Sequence, residues 1–408
     1  MKNAIRSDVA IVGTGPAGLA AALALAKLGL RIVAVGMAQG RPDTRTAALF
    51  TGSIRLLANL GAWDDCRAAS EPMRGIRIVD DMGVLLRAPE VTFWASEAHL
   101  DCFGYNVPNA ALVEALRHQA SAQPAITLIE AGVEDISFAP GGVELQLSNG
   151  DRLSVALVVG ADGRNSLCRR AAGIGVRTWG YKQSALICTF SHQRPHDGIS
   201  TEFHRPAGPL TVVPSPGRTS SLVWIERPAA AERLRDLEKA AFRTELEARL
   251  QGLLGSIGAI GPRGVFPLSG LAADVTGAGR IALVGDAAHV IPPIGAQGLN
   301  LGLRDVAILT DCVAEAVRRN DDVGAPPVMQ AYSAARRFDV ASRIWTIDLL
   351  NRSLLSEFLP VQAMRGFGLH LLKAIGPARR FVMREGLAPS FVAPRLMQPM
   401  SREPGSGP

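Results

Sequence analysis

The residues of this chain whose types and spacing could do chemistry fall into three short segments. Gly13, Gly15 and Gly18 in "VGTGPAGLA" give a GxGxxG spacing, with Pro16 and Ala17 between the second and third. The first glycine permits a tight turn, the second lets the backbone approach a pyrophosphate, and the third lets a helix pack closely on a strand. Exposed N–H groups at the helix start, with the positive end of the helix dipole behind them, then favour phosphate. Asp162-Gly163 in "VVGADGRNS" and Gly285-Asp286 in "LVGDAAHVIPPIGAQGLNLGLRD" each follow an apolar run. An acid at the end of a buried strand can accept hydrogen bonds from a polyol. The loop through Pro293 lets backbone amides approach a planar ring. Gln297, Gly298, Leu299 and Asn300 open a helix whose N-terminus stabilises negative charge by about 0.3–1 kcal/mol.

These residues need particular elements to position them. "DVAIVG" reads as a strand, "TGPAG" as a turn and "LAAALALAKLG" as a helix that Gly29 ends. The second strand, in "RIVAVG", should close on an acid that holds an adenosine ribose, and Gly36 stands there instead. One hydrogen bond to a charged acceptor is worth roughly 1.5–3 kcal/mol, so its loss weakens the ribose contact but leaves the phosphate cradle. Between the second and third segments, "SALICTF", "LTVVPS" and "SLVWIE" alternate as strands do, and Gly75 to Phe93 adds more. Together they predict a β-sheet lid. "GSIGAIGPRG" (255–264) is expected to be a loop, not a second dinucleotide-binding unit.

The composition sets the frame. With 408 residues, 48% of them hydrophobic and 5% aromatic, the chain can bury a substantial core, and its alternating helical and strand-like runs point to an α/β protein of two intertwined domains. Cys66, Cys102, Cys168, Cys188 and Cys312 are odd in number, scattered and without a CxxC pair. They exclude a disulfide framework and a zinc site, and a reducing cytoplasm suits them. Lys2 and Arg6 precede an apolar stretch, but Asp8 and the glycines interrupt it, so no secretory signal is expected. Lys27 and Arg31 break the best candidate for a membrane span. From Ala331 on there are 11 Lys and Arg against 5 Asp and Glu, so the whole net charge of +6 lies there. In that region "IWTIDLL", "LLSEFL" and "FGLHLLKAIG" alternate with Arg343, Arg352, Arg365, Lys373, Arg379 and Arg380. Two readings stand: amphipathic helices with a solvated basic face, or a face for an anionic membrane surface or a biosynthetic complex. Nucleic acid is not an expected partner, because aromatic platforms do not interleave the basic residues.

The glycine fingerprint, "GADG" and "GDAAH…P…QGLNLGLRD" together resemble the FAD-dependent aromatic hydroxylases of the para-hydroxybenzoate-hydroxylase type, above all the ubiquinone-biosynthesis hydroxylases. "DTRTAALFTGSIRLLANLGAW", "FGYNVPNAALVEAL" and "DLLNRSLLSEFLPVQAMRGFGLHLLKAIGPARR" follow in the family's order. The resemblance implies a Rossmann-like FAD-binding domain (1–74, 101–180 and 268–330) with an inserted β-sheet substrate domain (75–100 and 181–267). C-terminal helices (331–398) and a flexible tail (399–408) would follow. It implies FAD as cofactor: Gly13, Gly15 and Gly18 at the pyrophosphate, Arg45 with Thr46 along the cofactor, Asp162 and Gly163 toward both FAD and the nicotinamide donor. Asp286 would hold the ribitol, and Gln297 to Asn300 the isoalloxazine edge, where reduced flavin carries negative charge. The implied reaction passes O2 through a flavin C4a-hydroperoxide to the ring of a prenylated phenol, with NAD(P)H as donor and no metal. Such a protein works in the cytoplasm, with peripheral contact at the inner membrane surface.

Two departures from the family pattern are Gly36 and "PIGAQG" in place of "PIAGQG". No catalytic base is assigned. Tyr105, Tyr181 and Tyr332 form no evident relay, and His289 is expected to make an orienting hydrogen bond beside Asp286. A halogenase, a prenyl reductase or a non-enzymatic prenyl-lipid carrier could share the scaffold. Trp63, Trp94, Trp179, Trp224 and Trp345 include no Trp-x-Trp, which counts against the halogenase.

Overall fold

Val9–Val12 and Ile32–Val35 are buried at every position, so these strands have no face to give to water and must be covered on both sides. They lie in a parallel sheet in the order Ile281–Leu283, Leu157–Gly160, Val9–Val12, Ile32–Val35 and Ile126–Ile129, with Gly277–Ala278 antiparallel at one edge. The computed structural model that shows this describes residues 4–37, 43–82, 89–355 and 393–399. Connections run outward in both directions from Val9–Val12. The carboxyl ends of that strand and of Leu157–Gly160 therefore border a crevice, the place where open α/β sheets take ligands.

Alternation along each strand separates the two faces. Val9, Ile11, Leu157 and Val159 pack on the helices Pro16–Ala26, Asn109–Ser121 and Gln297–Arg319. Ala10, Val12 and Val158 pack instead on Val143, Leu145 and Leu153 of a second sheet. In that sheet Arg152–Val155, Gly142–Leu147 and Val133–Ala139 run antiparallel, with Ala4–Arg6 at the edge.

The lid is a mixed sheet. Its order is His289–Val290, Gly264–Ala273, Val176–His192, Thr219–Glu226, Leu210–Ser215, Ile199–His204, Gly75–Asp80 and Val91–Trp94. The segment 255–264 is not wholly a loop: Ile257–Ile260 is a strand paired with Val176–His192. Two helices, Pro228–Asp236 and Lys239–Leu250, also lie in the stretch read as strands. Leu186, Cys188, Phe190, Leu222 and Trp224 face a core built with those helices. The expected limits at 180 and 267 fall inside Val176–His192 and Gly264–Ala273, so continuous strands run across both. The pairing of these strands shifts register between Gly180 and Ser184, which places the bend at the former limit.

The long helix Pro326–Leu355 follows, and Arg395–Met397 returns to pack on Thr51–Asn59 and Gln297–Arg319, burying Met397. "LLSEFL" from its third residue on, and all of "FGLHLLKAIG", with Arg365, Lys373, Arg379 and Arg380, lie outside the described residues. Among the described residues no helix is long and apolar enough to cross a membrane, and no cluster of His, Cys, Asp and Glu could hold a metal. All five cysteines are free.

Candidate functional site

The motif glycines divide into two kinds. A side chain at Gly13 would run into the Ala161 carbonyl, and one at Gly18 into the Gly13 carbonyl. Gly13 also has φ +109°, a conformation L side chains rarely adopt. These two are packing glycines that bring helix Pro16–Ala26 onto the sheet. Gly15, Gly163, Gly295 and Gly298 are different, because a Cβ on any of them would meet nothing within 4 Å. Their backbone faces open space on the crevice side, as close approach by a ligand requires. Pro16 is the first residue of its helix, and Ala17 packs on the domain core beside Gly285.

Gly36 has a local explanation. A Cβ there would run into Thr14 Oγ1 and lie 2.8 Å from the Thr14 nitrogen. Thr14 therefore fills the space an acid would need, and its hydroxyl accepts a hydrogen bond from Arg117 Nη2 at 3.4 Å.

Asp162 Oδ2 accepts the Cys168 N–H at 3.1 Å, while its Oδ1 is buried without a hydrogen-bond partner. That orphaned acceptor at the crevice fits a cofactor hydroxyl. Asp286 is exposed at the mouth of the crevice yet closely flanked by protein. Desolvation raises its pKa, against the pull of His289, Arg164 and Arg45. Arg45 pairs with Asp43 at 2.8 Å and lies over the Phe266 ring at 5.6 Å, which puts it between the crevice and the lid. The Thr46 hydroxyl donates to Ser221 Oγ of the lid at 3.1 Å, so this side chain joins the domains. Pro293 is exposed, and Leu299 packs partly on the core.

Asn300 uses its whole amide. Its Oδ1 accepts from the Phe50 N–H (3.0 Å) and the Ser53 hydroxyl (2.7 Å), and its Nδ2 donates to the Ala48 (2.8 Å) and Ala296 (2.7 Å) carbonyls. It clamps the ring-side loop, in which Gly295 and Ala296 are both left-handed (φ +67° and +53°). The "PIGAQG" order thus puts an alanine where about 1–2 kcal/mol of strain is stored.

Several residues that hold the site were not singled out by their positions in the sequence. Arg169, 6% exposed, donates to the Arg164 and Ala287 carbonyls at 2.8 and 2.7 Å and so ties the Asp162 loop to the Asp286 loop. Fully buried Asp305 takes the Gly285 N–H (2.8 Å), His289 Nε2 (2.7 Å) and Arg336 Nε (2.7 Å). The orienting bond of His289 is therefore made to Asp305. Burial pushes Asp305 upward, but the charges of His289 and Arg336, with bonds from His289 and Gly285, outweigh it and hold the carboxyl below the usual range. Asp305 did stand in the quoted "GLNLGLRD"; Arg336 and Asp339 carried no motif. Arg343, expected on a basic outer face, instead turns inward with its side chain 15% exposed. Its partners Asp339 and Gln297 lie on the protein side, which overrules solvation.

The lid face opposite its helices is apolar: Ala185, Ile187, Val223, Ile225 and Leu268, packed with Ile291 from the ring-side segment and with Tyr181. The Tyr181 hydroxyl accepts from Trp179 Nε1 at 2.7 Å and donates to Asp348 Oδ1 at 2.8 Å. Beside it runs a groove of about 1120 Å³ between the lid strands and helix Pro326–Leu355, with Trp179, Val275, Val340, Ile344 and Trp345 among its walls.

Comparison with known proteins identifies the family and the fold. Residues 6–345 match the family described as an FAD binding domain. A ubiquinone hydroxylase of Rhodospirillum rubrum, UbiL, is 37% identical over 403 residues, spanning 96% of this chain and 92% of that protein. The 3-demethoxyubiquinol 3-hydroxylase of Escherichia coli is 32% identical, over 93% of this chain and 98% of its own. Among solved structures, p-nitrophenol 4-monooxygenase of Pseudomonas putida superposes with a TM-score of 0.78. At 19% identity, over 96% of this chain and 100% of that one, it shows the shared fold.

Proposed function

The chain belongs to the FAD-binding family of ubiquinone hydroxylases, and on that premise we propose that it hydroxylates the aromatic ring of a prenylated phenol in ubiquinone biosynthesis. The observations that support this reading are the open space beside the backbone at Gly15, Gly163, Gly295 and Gly298, the buried Asp162 Oδ1 without a partner, and the charges of Arg45 and Arg164 acting on Asp286. The turn at Gly13–Gly18 would hold the FAD pyrophosphate, Asp286 the ribitol, and the backbone from Gly295 to Gly298 the ring. When bound and reduced, FAD would activate O2, one atom of which goes to the ring while the other leaves as water.

The rest falls to side chains of this protein. Half-buried Ile187, Val223 and Ile291, backed by buried Ala185 and Ile225, offer an aromatic ring an apolar surface and keep water from the reacting atoms. Tyr181 packs against this surface, and its hydroxyl donates to Asp348 Oδ1. The groove beside it, with Trp345 68% exposed, takes the isoprenoid tail. NAD(P)H would meet the flavin transiently at the FAD domain. The cationic surplus after Ala331 would draw the enzyme to anionic lipid at about 1 kcal/mol per charge.

The test is the visible spectrum of the purified or FAD-reconstituted protein, followed by a prenylphenol assay. A yellow complex near one FAD per chain that forms a hydroxylated product supports the reading. A protein that cannot be loaded with flavin would overturn it.

A further inference from the structure

Two walls of the flavin pocket are joined by a continuous buried chain of charges. From Asp305, which holds the Gly285 N–H and His289, the chain passes through Arg336 to Asp339 Oδ2 at 2.6 Å. Asp339 Oδ1 then accepts Arg343 Nε at 2.9 Å, and Arg343 Nη1 donates to Gln297 Oε1 at 2.5 Å. Arg304 adds a cation 3.7 Å from Asp339. A guanidinium can only donate, so Gln297 must present its oxygen to Arg343 and carry its NH₂ on the other side. Three guanidiniums stand against two carboxylates in this cluster, and Arg343 is the one bonded to the first residue of helix Gln297–Arg319.

We propose that Arg343 is a positioning residue for the flavin ring: braced on Asp339, it fixes the Gln297 amide and holds a positive charge behind the helix start, so that the site favours reduced, anionic flavin over oxidised flavin. The proposal rests on the flavin reading above. Reduction adds negative charge at the ring, and a fixed cation behind the helix N-terminus strengthens with that charge, whereas contacts to the dinucleotide's phosphates do not change with redox state. Asp339 is what makes the charge tolerable there. Charges from Arg336, Arg343 and Arg304, with the Arg336 bond, hold its carboxyl below the usual range despite burial.

The experiment measures two dissociation constants for each protein, for oxidised FAD in air and for dithionite-reduced FAD under anaerobic conditions. Arg343→Met should leave the oxidised constant within about threefold and raise the reduced constant roughly tenfold more, a drop of about 30 mV in the two-electron potential. Arg343→Lys, which keeps the charge, should recover most of the difference. Gln297→Met, which frees the amide but leaves the Arg343 cation in place, should give a smaller selective loss, and the double variant should not exceed Arg343→Met alone. If Arg343→Met does not fold, Gln297→Met carries the test. Equal weakening of both redox states, or no change in either, would show that Arg343 only packs and overturn the proposal. A wild-type protein that binds neither form would instead remove the flavin reading itself, a separate outcome.

Discussion

Asp286, the proposed ribitol acceptor, sits where the fold works against its charge. Its carboxyl has a pKa raised by desolvation, so the folded apoprotein binds its proton more tightly than the unfolded chain does. Stability from this group therefore falls as pH rises through the carboxylate range. Asp286→Asn should raise the melting temperature of the apoprotein at neutral pH while weakening FAD binding, read by calorimetry and by flavin titration. Asp286→Ala, which removes the acceptor, should lower FAD affinity roughly tenfold to a hundredfold; a mutant that keeps full flavin content would sink the ribitol assignment. Gly36 poses the converse case. An acid restored there collides with Thr14 in the phosphate turn, so Gly36→Glu should bind FAD more weakly, and tighter binding would disprove the steric account. The missing acid was plain in the sequence, whereas Thr14 as its cause was not, because only the folded turn brings residues 14 and 36 together.

The elements differ in how far local pattern could reveal them. The buried four-residue strands, the glycine turn and the helix after it announce themselves through apolar runs and chain-reversing residues within a few positions. Helices Pro228–Asp236 and Lys239–Leu250 were hidden by the strand-rich segments on either side, and Ile257–Ile260 by the glycines around it. The brace from Asp305 to Gln297 was hidden for another reason: its members lie up to 46 residues apart, and only the packing of helix Pro326–Leu355 on Gln297–Arg319 joins them. Asp305 and Asp339 have lowered pKa values. The stability they supply is thus present above their unfolded values near 3.8 and is lost as pH falls through the lower folded values. Asp305→Asn should lower the melting temperature most at neutral pH, and the difference from wild type should shrink in acid. A pH-independent difference would mean that the charge of Asp305 contributes nothing. Asn300→Ala, which takes a partner from the Phe50 N–H, the Ser53 hydroxyl and the Ala48 carbonyl, should cost about 2–4 kcal/mol of stability at roughly 1–3 kcal/mol per unsatisfied group, partly offset by water.

At the scale of the molecule, continuous strands carry the lid into the FAD domain, and His289–Val290 pairs with Gly264–Ala273 next to the ring-side loop. The apolar lid face, the groove beside it and the ring-side loop are thereby built on shared elements. If the groove takes the isoprenoid tail, Trp345→Ala should raise KM for a long-tailed phenol roughly tenfold, in keeping with about 25 cal/mol per Å² of lost apolar contact. A substrate with one prenyl unit should be unaffected, and equal effects on both would remove the groove from the account. On this reading the fold delivers oxygen from O2 to a phenol ring. This is tested most directly by supplying the FAD-loaded protein with NAD(P)H, a short-tailed prenylphenol and O2 labelled with heavy oxygen, then weighing the product by mass spectrometry. The account predicts one labelled oxygen on the ring. NAD(P)H consumed with only hydrogen peroxide formed, or a hydroxyl carrying oxygen from water, would contradict it.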